Sequence, residues 1–231
     1  MSEKSKEKIV IVTFILLAVF VIVSTIGAII MISGDNGKKV HLLAVGDSIT
    51  FGEDENKKGY ADYMAERNAR IKLDKVSWGG LGIKDLRRLV EMRAFDNIKD
   101  VDIVTVLIGA NDFGFDIPIE EFESEIDKYM KEMKGMYSNS RIVFLTPLYR
   151  DYYGTTIKTM GGTINNIGVT LYQYGDVIKK CAANNGIEVI DLTTDQYLNA
   201  NNIRKFTSDG LHPNKVGNKM IAHKLVKALG L

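Results

Sequence analysis

Two short motifs, far apart in the chain, carry residue types that could act together in nucleophilic catalysis. Ser48 lies in the stretch Gly-Asp-Ser-Ile-Thr at 46–50, directly after an apolar run. Asp209 and His212 lie three positions apart in the stretch Asp-Gly-Leu-His-Pro at 209–213. An imidazole can take the proton of a serine hydroxyl while a carboxylate orients the ring and stabilises its charge. We therefore predict Ser48 as the nucleophile, His212 as the general base and Asp209 as its acid partner.

The elements that must position these residues follow from hydrophobic periodicity. Short apolar runs rich in Val and Ile alternate with longer amphipathic stretches, as expected for strands buried on both faces and joined by helices. The predicted strands are Val40–Val45, Lys72–Val76, Val101–Ile108, Arg141–Leu145 and Glu188–Asp191. The predicted helices are Tyr60–Arg70, Lys84–Phe95, Ile119–Tyr137, Leu171–Asn184 and Lys215–Leu229. This alternation predicts an α/β fold, a three-layer α/β/α sandwich around a five-stranded parallel sheet.

Four chemically useful segments would then reach the same edge of that sheet. Ser48 follows the first strand, a glycine-rich stretch at 79–82 follows the second, Asn111 follows the third, and the Asp209 and His212 pair follows the fifth. Open α/β sheets keep their ligand sites at the carboxyl ends of the strands. A tetrahedral oxyanion at Ser48 needs hydrogen-bond donors, and we predict the N–H groups of Ser48 and Gly82 and the side-chain amide of Asn111. Taken singly, each segment could instead be a turn or a helix cap without a catalytic role.

These four segments resemble the sequence blocks of the SGNH or GDSL family of serine esterases and lipases. The resemblance runs from about Val40 to Leu231, with Gly82 matching the oxyanion glycine of a loosely defined block in which Gly80 is an alternative. It implies a flavodoxin-like sheet and hydrolysis of esters or thioesters without a metal or an organic cofactor. A Gly-x-Ser-x-Gly elbow would need glycine where Thr50 stands, so the ordinary α/β-hydrolase motif is absent.

The amino terminus predicts a membrane anchor. Residues 9–32 contain no charged side chain, and a helix of that length spans about 36 Å, enough for a hydrocarbon core of about 30 Å. A cleaved signal peptide and a buried core helix are the alternatives. The predicted organisation is a tail at 1–8, a single-pass anchor at 9–32, a linker at 33–39 and an SGNH-type domain at 40–231. Three lysines before the span and two after it favour a domain outside the cell membrane.

Composition narrows the partners and cofactors. The 231 residues carry a formal net charge of +1, which argues against a nucleic-acid binder. The three histidines come with no His-Glu-x-x-His motif or cysteine cluster, so no metal is predicted. Cys181 is the single cysteine, and its position on the apolar face of a helix predicts a packing role.

The substrate is less constrained than the chemistry. The long connection at 147–169 carries Tyr149, Tyr152 and Tyr153, and connections of this length are often lids or binding loops. We expect it to shape the acyl or alcohol pocket, with a surface flap that contacts no substrate as the alternative. The favoured interpretation is an esterase that removes O-acetyl or other short acyl groups from cell-envelope glycans. Alternatives are a lysophospholipase or thioesterase and, from another class, an inactive scaffold or glycan-binding module.

Overall fold

A row of five residues marks the edge of the sheet where the strands end. The computed structural model describes residues 37–53, 56–151, 164–194 and 196–231. Its strands are β1 (Val40–Gly46), β2 (Ile71–Ser77), β3 (Ile103–Leu107), β4 (Arg141–Leu145) and β5 (Glu188–Ile190). All pair in parallel in the order β2-β1-β3-β4-β5. Ser77, Gly46, Leu107, Leu145 and Ile190 are register partners across the sheet, so all five strands deliver their loops to one edge.

Eight helices connect or follow the strands in the described residues. They are α1 (Ser48–Phe51), α2 (Tyr60–Arg67), α3 (Ile83–Glu91), α4 (Ala110–Gly114), α5 (Ile119–Met136), α6 (Leu171–Asn185), α7 (Ile203–Phe206) and α8 (Lys215–Leu229). Local sequence sets several of their ends. Thr170 and Gln173 form a capping box at the start of α6, and Gly186 ends it at φ 62°. The Asn214 side chain accepts from two backbone N–H groups at the start of α8.

Alternate residues of each strand supply two separate hydrophobic cores. Leu43 and Val45 of β1 face a core with α3, α5 and α6, while Leu42 and Ala44 face a core with α2 and α8. Both faces of the sheet are therefore covered, which confirms the predicted three-layer α/β sandwich with five parallel strands. Residues 39–231 form one compact unit.

Most predicted elements have ends within one residue of the observed ones, and three differ by more. The helix predicted to run from Tyr60 to Arg70 ends at Arg67. The helix predicted to run to Phe95 ends at Glu91, because Arg93 adopts a left-handed conformation with φ 61°. The third strand begins at Ile103 rather than Val101. Just before it, the N–H of Asp102 donates to the His41 carbonyl of β1. The short helices α1, α4 and α7 were not predicted, because a single turn leaves no periodic pattern.

The predicted membrane anchor at 9–32 lies outside the described residues. None of the helices in the described ranges is long and apolar enough to cross a membrane.

Candidate active site

Ser48 stands at the switch point of the sheet, where the chain order reverses between β1 and β3. It is the first residue of α1, two positions after β1 ends, and only 6% of it is exposed. Asp47 caps this helix by accepting from the N–H of Ile49 at 3.0 Å. A Cβ on Gly46 would lie 2.3 Å from Thr50 Oγ1, so the turn needs glycine before it. The nucleophile candidate is thus fixed by a tight strand-to-helix turn at the place where α/β sheets bind ligands.

The loop before α8 holds the carboxylate of Asp209 against the ring of His212. Asp209 Oδ1 accepts from the N–H groups of Leu211 and His212, at 2.8 and 2.7 Å, and Oδ2 accepts from His212 Nδ1 at 2.7 Å. Burial opposes ionisation of Asp209, but the hydrogen bonds from His212 and Leu211 outweigh it and lower its pKa to about 2. The carboxylate is therefore ionised and oriented toward the imidazole.

The imidazole joins this carboxylate to Ser48. His212 Nε2 lies 3.0 Å from Ser48 Oγ. Because the ionised carboxylate of Asp209 can only accept, Nδ1 carries the ring proton of the neutral imidazole and Nε2 is left to accept from the serine hydroxyl. The structure brings the three predicted residues together in a geometry that permits proton transfer from Ser48 to His212.

The predicted oxyanion donors have neighbours that the sequence does not reveal. The side-chain amide of Asn111 donates to the carbonyl of Leu81 at 3.0 Å, so β3 and β2 are joined through their loops. The N–H of Gly82 donates to Asp85 Oδ2 at 2.9 Å, as the N-cap of α3. A Cβ on Gly82 would lie 3.0 Å from Asp112 Oδ1, so the space left by the missing side chain is taken by a carboxyl group.

Two buried carboxyl groups flank the site, and neither was assigned a role from sequence. Asp47 and Asp112 are 1% and 2% exposed. Burial raises the pKa of Asp47 to about 6, although the Ile49 N–H and the charges of His212 and Arg150 act against it. Burial likewise raises the pKa of Asp112 to about 7 against the Ile83 N–H. Asp47 lies within the motif at 46–50 and Asp112 directly follows Asn111. Their residue type and position alone do not distinguish a buried aspartate from a turn former.

Arg150 is a third residue that sequence reasoning missed. It is buried, its Nη1 donates to the Ala110 carbonyl at 2.8 Å, and its guanidinium lies 5.5 Å from the ring centroid of Phe113. The segment after β4 therefore packs on α4. The N–H of Asp151 also donates to the Gly210 carbonyl at 2.7 Å, which places this segment beside the loop of His212.

The predicted substrate loop is described only at its two ends. Tyr149 is partly buried and packs on the core that contains α2 and α8. Tyr152 and Tyr153 lie outside the described residues, so the binding role of all three stays a prediction. At the other end, Asn166 bonds Asp116 and Asn165 donates to the Phe113 carbonyl.

The remaining histidines and Cys181 have structural surroundings. His41 bonds Asp74 near the start of β1, His223 is exposed on α8, and Cys181 is buried. Among the residues that the structure describes, no group of three or more His, Cys, Asp or Glu side chains is arranged to hold a metal ion.

The fold and the site define a class: a flavodoxin-like α/β protein whose serine, histidine and aspartate meet at the carboxyl edge of the sheet. The model of the GDSL-like Lipase/Acylhydrolase family matches residues 44–220. The chain belongs to this family, and it is an ester hydrolase.

Individual relatives agree with this assignment. The mouse (Mus musculus) isoamyl acetate-hydrolyzing esterase 1 homolog is 24% identical over 197 residues, which are 78% of this chain and 77% of the mouse protein. A crystal structure of a Lactobacillus plantarum protein superposes with a TM-score of 0.71 at 20% identity, covering 84% of this chain and 97% of that one. An acetylxylan esterase of Geobacillus stearothermophilus gives a TM-score of 0.62 at 20% identity, covering 84% and 96%. At these identities the two structures show that the fold is shared.

Proposed function

We propose that the protein is a serine esterase that removes short acyl groups, with O-acetyl groups on cell-envelope glycans as its favoured substrates. The observation that carries the proposal is the position of His212, 3.0 Å from Ser48 Oγ and 2.7 Å from Asp209 Oδ2. This is the spacing that a serine needs to lose its proton as it attacks a carbonyl. The roles of Ser48, His212 and Asp209 in catalysis are part of the proposal.

The reaction follows in two halves. Ser48 Oγ attacks the ester carbonyl while His212 Nε2 takes its proton, and the tetrahedral adduct expels the alcohol, which leaves with that proton. A water molecule then gives a proton to His212 and attacks the acyl-serine. Its collapse releases the carboxylic acid and returns the proton to Ser48. Asp209 stays ionised throughout and stabilises the imidazolium that forms twice in the cycle.

The oxyanion donors differ in how readily they can serve. Ser48 N–H is at the first position of α1, where no carbonyl four residues earlier is available to it within the helix. The Asn111 amide has a second N–H besides the one on Leu81. The N–H of Gly82 is bonded to Asp85, so it reaches an oxyanion only by sharing that bond or by losing it. Ser48 and Asn111 are therefore the donors that need no rearrangement.

The choice of a short acyl group rests on the relatives. The mouse relative is named for isoamyl acetate hydrolysis, and two structural neighbours are named as acetylxylan esterases. Acetate is the acyl group common to those names, whereas the alcohols differ. The glycan and its place in the cell envelope are supported by the uncharged span at 9–32, which would hold an outward-facing domain near such polymers. Anchor and orientation are proposals, tested by protease accessibility of the domain in intact cells.

The experiment measures hydrolysis of p-nitrophenyl acetate, butyrate and octanoate by the full chain, with Ser48→Ala and His212→Ala beside it. We expect p-nitrophenyl acetate to be the best substrate and the full chain also to release acetate from an O-acetylated glycan. Both substitutions should abolish both activities. A preference for octanoate would replace the short-acyl proposal by the lysophospholipase or thioesterase alternative. Full activity in Ser48→Ala would refute the serine mechanism, whatever the substrate preference.

A further inference from the structure

The loop before α3 is held on both sides of Gly82 by two consecutive residues of α4. Asn111 binds the carbonyl of Leu81 at 3.0 Å, and Asp112 Oδ1 accepts from the N–H of Ile83 at 2.9 Å. Residues 81–83, which are the end of this loop and the first residue of α3, are thus held by α4. The loop follows β2, whereas α4 follows β3. Any displacement of α4 would move both the Asn111 amide and the Gly82 backbone.

Asp112 is placed for this holding role and has no other described one. It is 2% exposed, and its carboxyl group lies where a side chain on Gly82 would be. Among the described residues, its Oδ2 has no hydrogen-bond partner. A buried carboxyl group with an unpartnered oxygen costs stability, so its presence calls for an explanation. The hydrogen bond from Ile83, next to Gly82, points to a role in holding residues 81–83.

Asp47 makes the same kind of contact on the other side of the site. One oxygen caps the N–H of Ile49 in the helix that begins with Ser48, and the other oxygen is buried without a described partner. The two carboxyl groups interact, since the charge of Asp47 contributes to the raised pKa of Asp112. The N–H groups of Ser48 and Gly82 are the predicted oxyanion donors. In each case the N–H of the next residue donates to a buried aspartate, Ile49 to Asp47 and Ile83 to Asp112.

We propose that Asp112 is a positioning residue, which sets the oxyanion site by fixing the 81–83 backbone against α4. It touches neither substrate nor the reacting atoms and acts through Gly82 and Asn111. This inference rests on the oxyanion roles given to these two residues under the proposed function. Donors must lie within a few tenths of an ångström of their best position to stabilise the transition state, because hydrogen-bond strength falls steeply with distance and angle.

The test compares Asp112→Ala with Asp112→Asn, using p-nitrophenyl acetate and the full chain. The alanine variant loses the acceptor for Ile83, and we expect kcat to fall by about 10²-fold, the effect of a misplacement of about 1 Å, with KM nearly unchanged. The asparagine variant keeps an acceptor oxygen for Ile83, and we expect it to recover most of kcat. Rates are normalised to the fraction of protein labelled by a fluorophosphonate at Ser48.

A matched control separates positioning from loss of stability. Val104→Ala removes a fully buried side chain from β3, the strand that leads into α4, and leaves the loop contacts intact. It should lower Tm but not kcat per labelled site. Affinity for phenylboronic acid, which forms a tetrahedral anion on a serine, should fall in Asp112→Ala in proportion to kcat and stay unchanged in the control.

The outcomes are separable from those of the proposed function. A normal kcat in Asp112→Ala, with Ser48→Ala inactive, would overturn the positioning role and leave the serine mechanism in place. Equal losses of kcat in the asparagine and alanine variants would also overturn it, because the Ile83 acceptor would then not matter. If the alanine variant does not fold, Asp112→Leu, which lacks the acceptor but has a similar volume, replaces it in the comparison. Loss of kcat and boronate affinity in Asp112→Leu with recovery of both in Asp112→Asn supports the proposal, and a normal kcat in Asp112→Leu or a loss in Asp112→Asn refutes it.

Discussion

Two histidine–aspartate pairs lie at opposite edges of the sheet, and their nitrogen–oxygen distances are the same. His212 Nδ1 is 2.7 Å from Asp209 Oδ2 at the carboxyl edge, and His41 Nε2 is 2.7 Å from Asp74 Oδ2 near the start of the strands. Their remaining ring nitrogens differ. That of His212 faces the hydroxyl of Ser48 at 3.0 Å, whereas that of His41 faces the carbonyl of Asp100 at 3.1 Å.

This difference separates His212, the proposed base, from His41, whose ring has a structural role. A hydroxyl can give up a proton, but a carbonyl can only accept a hydrogen bond. His41 therefore lies between two acceptors and has nothing to deprotonate, while His212 lies between an acceptor and a potential nucleophile. A His–Asp pair alone does not identify a catalytic site, and the third group decides.

The largest expected effect comes from removing each imidazole. His212→Ala should lower kcat for p-nitrophenyl acetate by up to about 10⁶-fold, the loss found when the base of a serine-protease triad is removed. His41→Ala should leave kcat unchanged and lower the free energy of unfolding by about 1–3 kcal/mol, because two hydrogen bonds of the buried ring are lost. Similar kcat losses in the two variants would break the comparison.

Substitutions of the two aspartates should differ in their effect on kcat in the same way. Asp209→Asn should lower kcat by about 10⁴-fold, because an amide no longer dictates which ring nitrogen of His212 carries the proton. Asp74→Asn should leave kcat unaffected. Steady-state kinetics of both variants at neutral pH provide the measurement, and a fully active Asp209→Asn would remove Asp209 from the mechanism.

The carboxyl edge should also carry an unusual pH dependence of stability. The pKa of Asp112 is raised from 3.8 to about 7, so the folded state binds an extra proton between these values and its stability falls as pH rises through them. At about 1.4 kcal/mol per pH unit, this amounts to at most about 4 kcal/mol. Asp112→Asn should remove this fall in the free energy of unfolding between pH 4 and pH 8, as measured by urea unfolding. Asp47→Asn should remove a smaller one, since that pKa is raised to about 6.

Val104→Ala, which changes no titratable group, is the control for this titration. We expect its stability difference from wild type to be the same at the two pH values. If the Asp112→Asn difference is constant with pH, the Asp112 carboxyl does not titrate in this range.

Replacing a glycine by alanine should have opposite effects on stability at Gly46 and at Gly135. A Cβ on Gly46 would lie 2.3 Å from Thr50 Oγ1 and 2.5 Å from the Leu107 carbonyl, so Gly46→Ala should destabilise by about 1–3 kcal/mol and disturb Ser48. Gly135 in α5 has open space at that position, and Gly135→Ala should stabilise by up to about 1 kcal/mol. Thermal unfolding of both variants would show opposite shifts in Tm, and equal shifts would contradict the packing argument.

The smallest effect is expected for an exposed ion pair that joins the first residues of β4 and β5. Arg141 and Glu188 bond at 2.7 and 2.8 Å, and each side chain is about 40% exposed. Glu188→Gln should cost at most about 1 kcal/mol of unfolding free energy, less at high salt, with kcat unchanged. A change in kcat would mean that the two edges are coupled through β5.

Much of the frame of the site could be predicted from the chain. The bounds of β4 agree with prediction, β1 differs by one residue, and the order of alternating strands and helices is as expected. Val and Ile runs, capping residues and glycines act over a few neighbouring residues, so their effect can be read locally. The same is true of Asp209 and His212, whose carboxylate and ring meet within one turn.

Tertiary structure decided which groups face one another across long separations in the chain. Ser48 and His212 are 164 positions apart, and their contact depends on the packing of β1 and the loop before α8. The burial of Asp47 and Asp112 has no local signal, because aspartate after a strand is ordinarily an exposed turn residue. By itself, the sequence determined the residue types that could do the chemistry and the strand ends that carry them. Only the fold decided that His212 meets a hydroxyl and His41 a carbonyl, since that choice depends on which distant backbone packs against each ring.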